Sequence, residues 1–262
     1  MDALNTTLSV GIFAMGAAIG SFLNVCIVRL PKGDSVVSPG SHCPRCKSSI
    51  RFYDNIPMLS YLILRGKCRQ CKEPISVRYF VVEGLSALMG LALFRSFGVS
   101  GEFAVYVLFF SALLVIIFID LDTLTIPDII TLPGMLVGVA ASFLLPRVTM
   151  VESLFGLLVG GGVLLLVATG YQLLRKREGI GGGDIKLLAM IGAFLGPPGV
   201  LYTLLASSLV GSFAGILMAF RDKRGGGTMI PFGPFLALAA MSYVFWGPAL
   251  IHWYLYRLGR PL

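Results

Sequence analysis

"FAVYVLFFSALLVIIFIDL", residues 103–121, carries a single charged side chain, Asp120, one place from its end. As a helix the run is about 28 Å long, close to the thickness of a bilayer's hydrocarbon core. Seven further apolar runs follow the same rule, at 8–28, 79–97, 129–146, 153–174, 184–197, 199–220 and 231–256. Only "GPPG" (196–199) separates 184–197 from 199–220, and such a glycine–proline turn breaks a helix. The chain of 262 residues is 56% hydrophobic and 13% charged, with a mean hydropathy of +0.86, a balance that excludes a soluble domain. Alternating segments of about ten residues, which a lipid-spanning barrel needs, are absent. The expected fold is an all-α polytopic membrane protein, a bundle of about eight transmembrane helices. The first run lacks a basic start and a small-residue cleavage site, so it is expected to stay in the mature chain.

The net charge of +8 would suit nucleic acid, but its distribution points to a membrane partner and no nucleic acid. Lys32–Arg78 holds nine Lys or Arg against Asp34, Asp54 and Glu73. "RKRE" (175–178) and "RDKR" (221–224) add to this bias, and eight spans place all three segments on one side. An excess of Lys and Arg marks the cytoplasmic face. Both termini are therefore expected outside, with Asp120–Asp128 and Asp184 at the cytoplasmic surface. Three parts follow: a first helix and its exit (1–30), a cytoplasmic loop (31–78) and a transmembrane core (79–262).

The loop contains "CPRC" (43–46) and "CRQC" (68–71), two Cys-x2-Cys knuckles separated by 21 residues. Cys43, Cys46, Cys68 and Cys71 are expected to hold one structural zinc ion, since a segment this short buries too little apolar surface to fold unaided. A pair of disulfides is the alternative, and the reducing cytoplasm argues against it. His42 reads as a bystander, and Cys26 as a packing residue in the first span.

In "IFIDLDTLTIPDIITLPG" (117–134), Asp120 is continuous with the apolar run, while Asp122 and Asp128 lie in the turn beyond it. A carboxylate at the edge of hydrocarbon is costly and usually functional. Asp184 stands at a second such edge, after Gly181, Gly182 and Gly183. Its alternative is a helix cap, and on residue type alone Asp128 reads likewise as a cap for the helix after Pro127. Two adjacent carboxylates can share one proton, one as base on a water and the other as acid. No "GxSxG" nucleophile competes, and the chain has only two His. The three glycines offer close backbone approach to an extended substrate. Asp120, Asp122 and Asp128 form a negative patch suited to a basic peptide. Asn24 and Glu83 are polar residues inside spans, read either as bonds between helices or as methyl-donor contacts.

Five stretches carry a resemblance: "GSFLNVCIVRLP" (20–31), "NIPMLSYLILRGKCRQC" (55–71), "ISVRYFVVEGLSAL" (75–88), "IDLDTLTIPD" (119–128) and "GGGDIK" (181–186). Together with "CPRC", in this order, they resemble the type IV prepilin peptidases, bifunctional leader peptidases and N-methyltransferases of the bacterial inner membrane. The resemblance implies that Asp120 and Asp184 are the catalytic aspartates. It implies cleavage of the basic leader of prepilins and type II secretion pseudopilins after a glycine, at the cytoplasmic membrane surface. It further implies methylation of the freed amine by S-adenosylmethionine.

Overall fold

The computed structural model describes residues 2–175, 181–221 and 230–257. The basic runs at 176–178 and 222–224, which contribute to the expected orientation, lie outside the described residues, as do Gly179 and Ile180. The helices are α1 (Asp2–Arg29), α2 (Leu59–Ile63), α3 (Val77–Phe97), α4 (Gly101–Thr123), α5 (Asp128–Ala141), α6 (Met150–Arg175), α7 (Gly182–Arg221) and α8 (Gly233–Arg257). Each of the eight expected runs is helical for most of its length. α1 begins well before residue 8, and α5 ends at Ala141 instead of 146.

Local chemistry sets several of these boundaries. The Ser76 hydroxyl accepts the Arg78 N–H at the start of α3, and Ser100 does the same for Phe103 at the start of α4. Before α6, Thr149 and Glu152 form a reciprocal cap: the Thr149 hydroxyl accepts the Glu152 N–H, and the Glu152 carboxylate accepts the Thr149 N–H. Inside α7, Gly196 adopts φ 68° and ψ −177°, a break that only glycine makes cheaply, so the helix is two segments joined at "GPPG". Among the described residues, six helices are long and apolar enough to cross a membrane, with α7 taken as one. α5 and the first half of α7, at about 21 Å each, are too short to cross a hydrocarbon core alone.

The chain forms two compact units, Met1–Val115 and Ile116–Leu262. In the first, α1 packs on α3 through small residues. A Cβ on Gly16 would lie 2.8 Å from the Ala87 Cα, and one on Gly20 would lie 2.7 Å from the Glu83 Cα. In lipid, where no hydrophobic force drives helices together, such backbone proximity supplies dispersion contact. In the second unit α7 is central, packing against α5, α6 and α8. A Cβ on Gly156 of α6 would meet the Gly196 Cα at 2.8 Å, and the Ser153 hydroxyl donates to the Ala193 carbonyl at 2.5 Å. This tight crossing fixes the first half of α7, and with it Asp184 at the helix start.

Candidate active site and metal centre

Near its end, in the second unit, α4 carries Asp120, which is only 4% exposed. Its Oδ2 accepts the backbone N–H of Gly233 at 3.0 Å. Gly233 is the first residue of α8, because the Phe232 carbonyl already accepts the N–H groups of Phe235 and Leu236. The N–H of a first helical residue has no partner within its own helix, and Asp120 supplies one. Asp184 is half-buried in the first turn of α7, its own N–H bonded to the Gly181 carbonyl at 3.1 Å. Asp120 and Asp184 thus stand near the end of α4 and at the start of α7.

Ile126, in the link from α4 to α5, wedges between the glycines beside both carboxylates. A Cβ on Gly183 would lie 2.9 Å from the Ile126 Cβ; one on Gly233 would lie 3.2 Å from its Cδ1 and 2.6 Å from Asp120 Oδ2. Gly182 faces open space, and a Cβ on Gly181 would come within 3.4 Å of Asp184 Oδ2. The three expected glycines therefore differ: packing needs Gly183, while Gly182 leaves room. Gly233 was not foreseen. The only local signal was its setting in "PFGPF" (231–235), and the bond spans 113 positions of sequence.

Asp128 is paired: the Lys186 ammonium lies 2.7 Å from each of its carboxylate oxygens. It makes no side-chain cap to α5, whose N-cap is Pro127. Lys186 thereby offsets one charge of the expected acidic patch. Asp122 is exposed at the last turn of α4.

In the first unit the two knuckles repeat one geometry. The Cys43 N–H bonds to the Ser48 carbonyl, and the Lys47 N–H returns to Cys43; Cys68, Glu73 and Lys72 copy the pattern. Lys47 and Lys72 both take positive φ, 55° and 59°, which turns the chain sharply after each second cysteine. The four sulfurs lie within 4.8 Å of one another, with Cys43 and Cys71 at 3.8 Å. Tetrahedral zinc–thiolate bonds of about 2.3 Å would set sulfurs about 3.8 Å apart, so the cluster fits such an ion. All four thiols are free in the structure. Hydrogen bonds with Ser48 bring the Cys46 thiol down to about 6. Asp54 grips Arg69 of the second knuckle through both carboxylate oxygens, at 2.6–3.0 Å. Asn24 donates to the Tyr79 carbonyl at 3.1 Å, and Glu83 accepts the Met58 N–H at 2.7 Å. Both polar residues are therefore engaged in ties within the fold.

The family described as the bacterial peptidase A24 N-terminal domain matches residues 14–97, and the type IV leader peptidase family matches residues 107–216. The chain is 37% identical over 268 residues to a prepilin leader peptidase/N-methyltransferase of Aeromonas hydrophila, covering 93% of this chain and 92% of the relative. A protein of that name from Pseudomonas aeruginosa is 36% identical, with 94% and 92% covered. A third, from Myxococcus xanthus, is 42% identical over 219 residues, which span 83% of this chain and 65% of that longer relative. No solved structure matches the chain.

Proposed function

This chain belongs to the type IV leader peptidase family, and we propose that Asp120 and Asp184 are the catalytic pair of a prepilin peptidase that also methylates its product. It is a multi-pass membrane protein that cleaves prepilins and N-methylates them. The observation that supports the assignment of the pair is that Ile126 packs against both Gly183, which precedes Asp184, and Gly233, whose N–H bonds Asp120. One carboxylate takes a proton from water as its oxygen attacks the scissile carbonyl carbon; the other gives its proton to the carbonyl oxygen. When the C–N bond breaks, the amine takes the first proton back and the second aspartate is reprotonated from the collapsing diol. No covalent intermediate forms.

The substrates are the basic leaders of prepilins and of type II secretion pseudopilins, cut after a glycine. Gly181–Gly183 line the approach of the extended peptide, and Asp122 attracts the leader with Asp128 in a lesser part. The nine basic residues of Lys32–Arg78 support a position for the 31–78 loop on the cytoplasmic side of a bacterial inner membrane. There Cys43, Cys46, Cys68 and Cys71 hold a structural zinc ion that staples the loop. The methyltransferase name of the relatives implies S-adenosylmethionine, which supplies a sulfonium methyl to the freed amine. Incubating purified protein with a prepilin and following product mass tests both steps: loss of the leader, then one added methyl group. Normal cleavage by Asp120→Asn or Asp184→Asn would end the assignment of the pair.

A further inference from the structure

We propose that the Gly233 N–H holds Asp120 as the ionised member of the pair, making Asp120 the general base and Asp184 the acid that carries the proton. The inference rests on the Asp120–Asp184 reading and adds a division of labour to it. Gly233 is a positioning residue, acting on substrate only through Asp120.

Three observations separate the two carboxylates. The first is the 3.0 Å bond from Gly233 to Asp120 Oδ2. A backbone N–H strengthens its bond when the acceptor is charged, and here it also brings the positive end of a 25-residue helix. The second is that, among the described residues, a backbone N–H bonds the Asp120 carboxylate and no donor bonds that of Asp184. Asp184 also starts a helix, yet its carboxylate accepts none of that helix's N–H groups in the structure. The third is the close fit around Gly233. A Cβ there would press on Asp120 Oδ2 at 2.6 Å and on Ile126 at 3.2 Å, so the donor reaches its acceptor only because residue 233 has no side chain.

The surrounding charges leave this bias in place. Lys186 and Asp128 neutralise each other, Asp122 lies exposed beyond Asp120, and α8 carries no acid or base before His252. With Asp120 ionised, a second full charge on Asp184 is opposed by repulsion, and one shared proton stays on Asp184. The attacking water therefore gives its proton to Asp120, and the substrate carbonyl oxygen receives the proton of Asp184. Collapse returns both: the leaving amine takes the proton from Asp120, and the diol hydroxyl restores Asp184.

The test compares cleavage of a prepilin by the full-length protein and by Gly233→Ala across pH. The added methyl displaces the donor from Asp120, so turnover should fall about tenfold or more. The acidic limb of the profile should move to higher pH by about one unit, because the ionised base has lost its hydrogen bond. The alkaline limb, set by Asp184, should stay in place. A loss of rate with both limbs unmoved would reduce Gly233 to a packing residue and overturn the proposal. If Gly233→Ala does not fold, the unmodified protein decides with a diazoacetyl ester at neutral pH, a reagent that esterifies protonated carboxyls. Peptide mapping should find the ester on Asp184; modification of Asp120, or of neither, overturns the assignment. Failure of the pair itself reads differently, as continued cleavage by Asp120→Asn.

Discussion

As the proposed acid–base unit, Asp120 and Asp184 should each be indispensable to cleavage. Asp120→Asn and Asp184→Asn should each lower cleavage by at least about 100-fold, and the double variant should be little worse than either. Both single variants should still methylate a pilin whose leader has already been removed. Asp128→Asn should keep measurable turnover, because its partner Lys186 is partly exposed and solvent-screened pairs contribute about 0–1 kcal/mol. The leader patch then depends mainly on Asp122. Replacing leader lysines by glutamate should cost less cleavage in Asp122→Asn than in the parent, and equal losses would remove the patch from the account. Among the glycines, Gly182 gives the cleanest test of substrate approach. A Cβ there meets nothing within 4 Å, so a bulky residue should block cleavage while leaving thermal unfolding unchanged. At Gly183 the same change collides with Ile126 and should unfold the site as well.

The helix crossings and the cysteine loop give predictions of a different kind. On α6, Gly156 sits against the backbone of α7 whereas Gly162 faces open space. Gly156→Ala should therefore destabilise by about 1–3 kcal/mol through overpacking, while Gly162→Ala should be neutral or slightly stabilising. Equal unfolding temperatures for the two would contradict the crossing described. In the loop, Arg69 and its hydrogen bonds hold the Asp54 carboxyl below its usual range. A depressed folded-state value means the contribution is fully present above the unfolded value of about 3.9 and is lost as pH falls through the folded one. Protease resistance of the loop should thus be flat around neutral pH and fall only under strong acid. Asp54→Asn should lower it at neutral pH, and a loop that loosens between pH 7 and 5 would point to another group. Replacing any one of the four clustered cysteines by serine should reduce bound metal and expose the loop, and methylation should suffer more than cleavage.

Membrane orientation follows from charge, and it can be measured on intact cells. A cysteine placed at Ser100, in the turn between α3 and α4, should react with an impermeant thiol reagent, while Cys46 should not. Ready labelling of Cys46 from outside would reverse the topology. Much of the architecture was legible because membrane helices announce themselves by length and apolarity: water is absent from the hydrocarbon, so a spanning backbone must satisfy its own hydrogen bonds. The break at "GPPG" and the two cysteine knuckles were readable from spacing, since a turn and a knuckle are local objects. The 14-residue length of α5 was less legible, because the apolar run continues past its last helical residue. Contacts remote in sequence leave no such periodicity. The pairing of Asp128 with Lys186, the wedge of Ile126 and the donation from Gly233 to Asp120 arise only when α4, α5, α7 and α8 pack. Which residues have carboxylates at a membrane edge is a property of the chain; which carboxylate receives a helix's unpaired N–H depends on how the helix ends are packed in three dimensions.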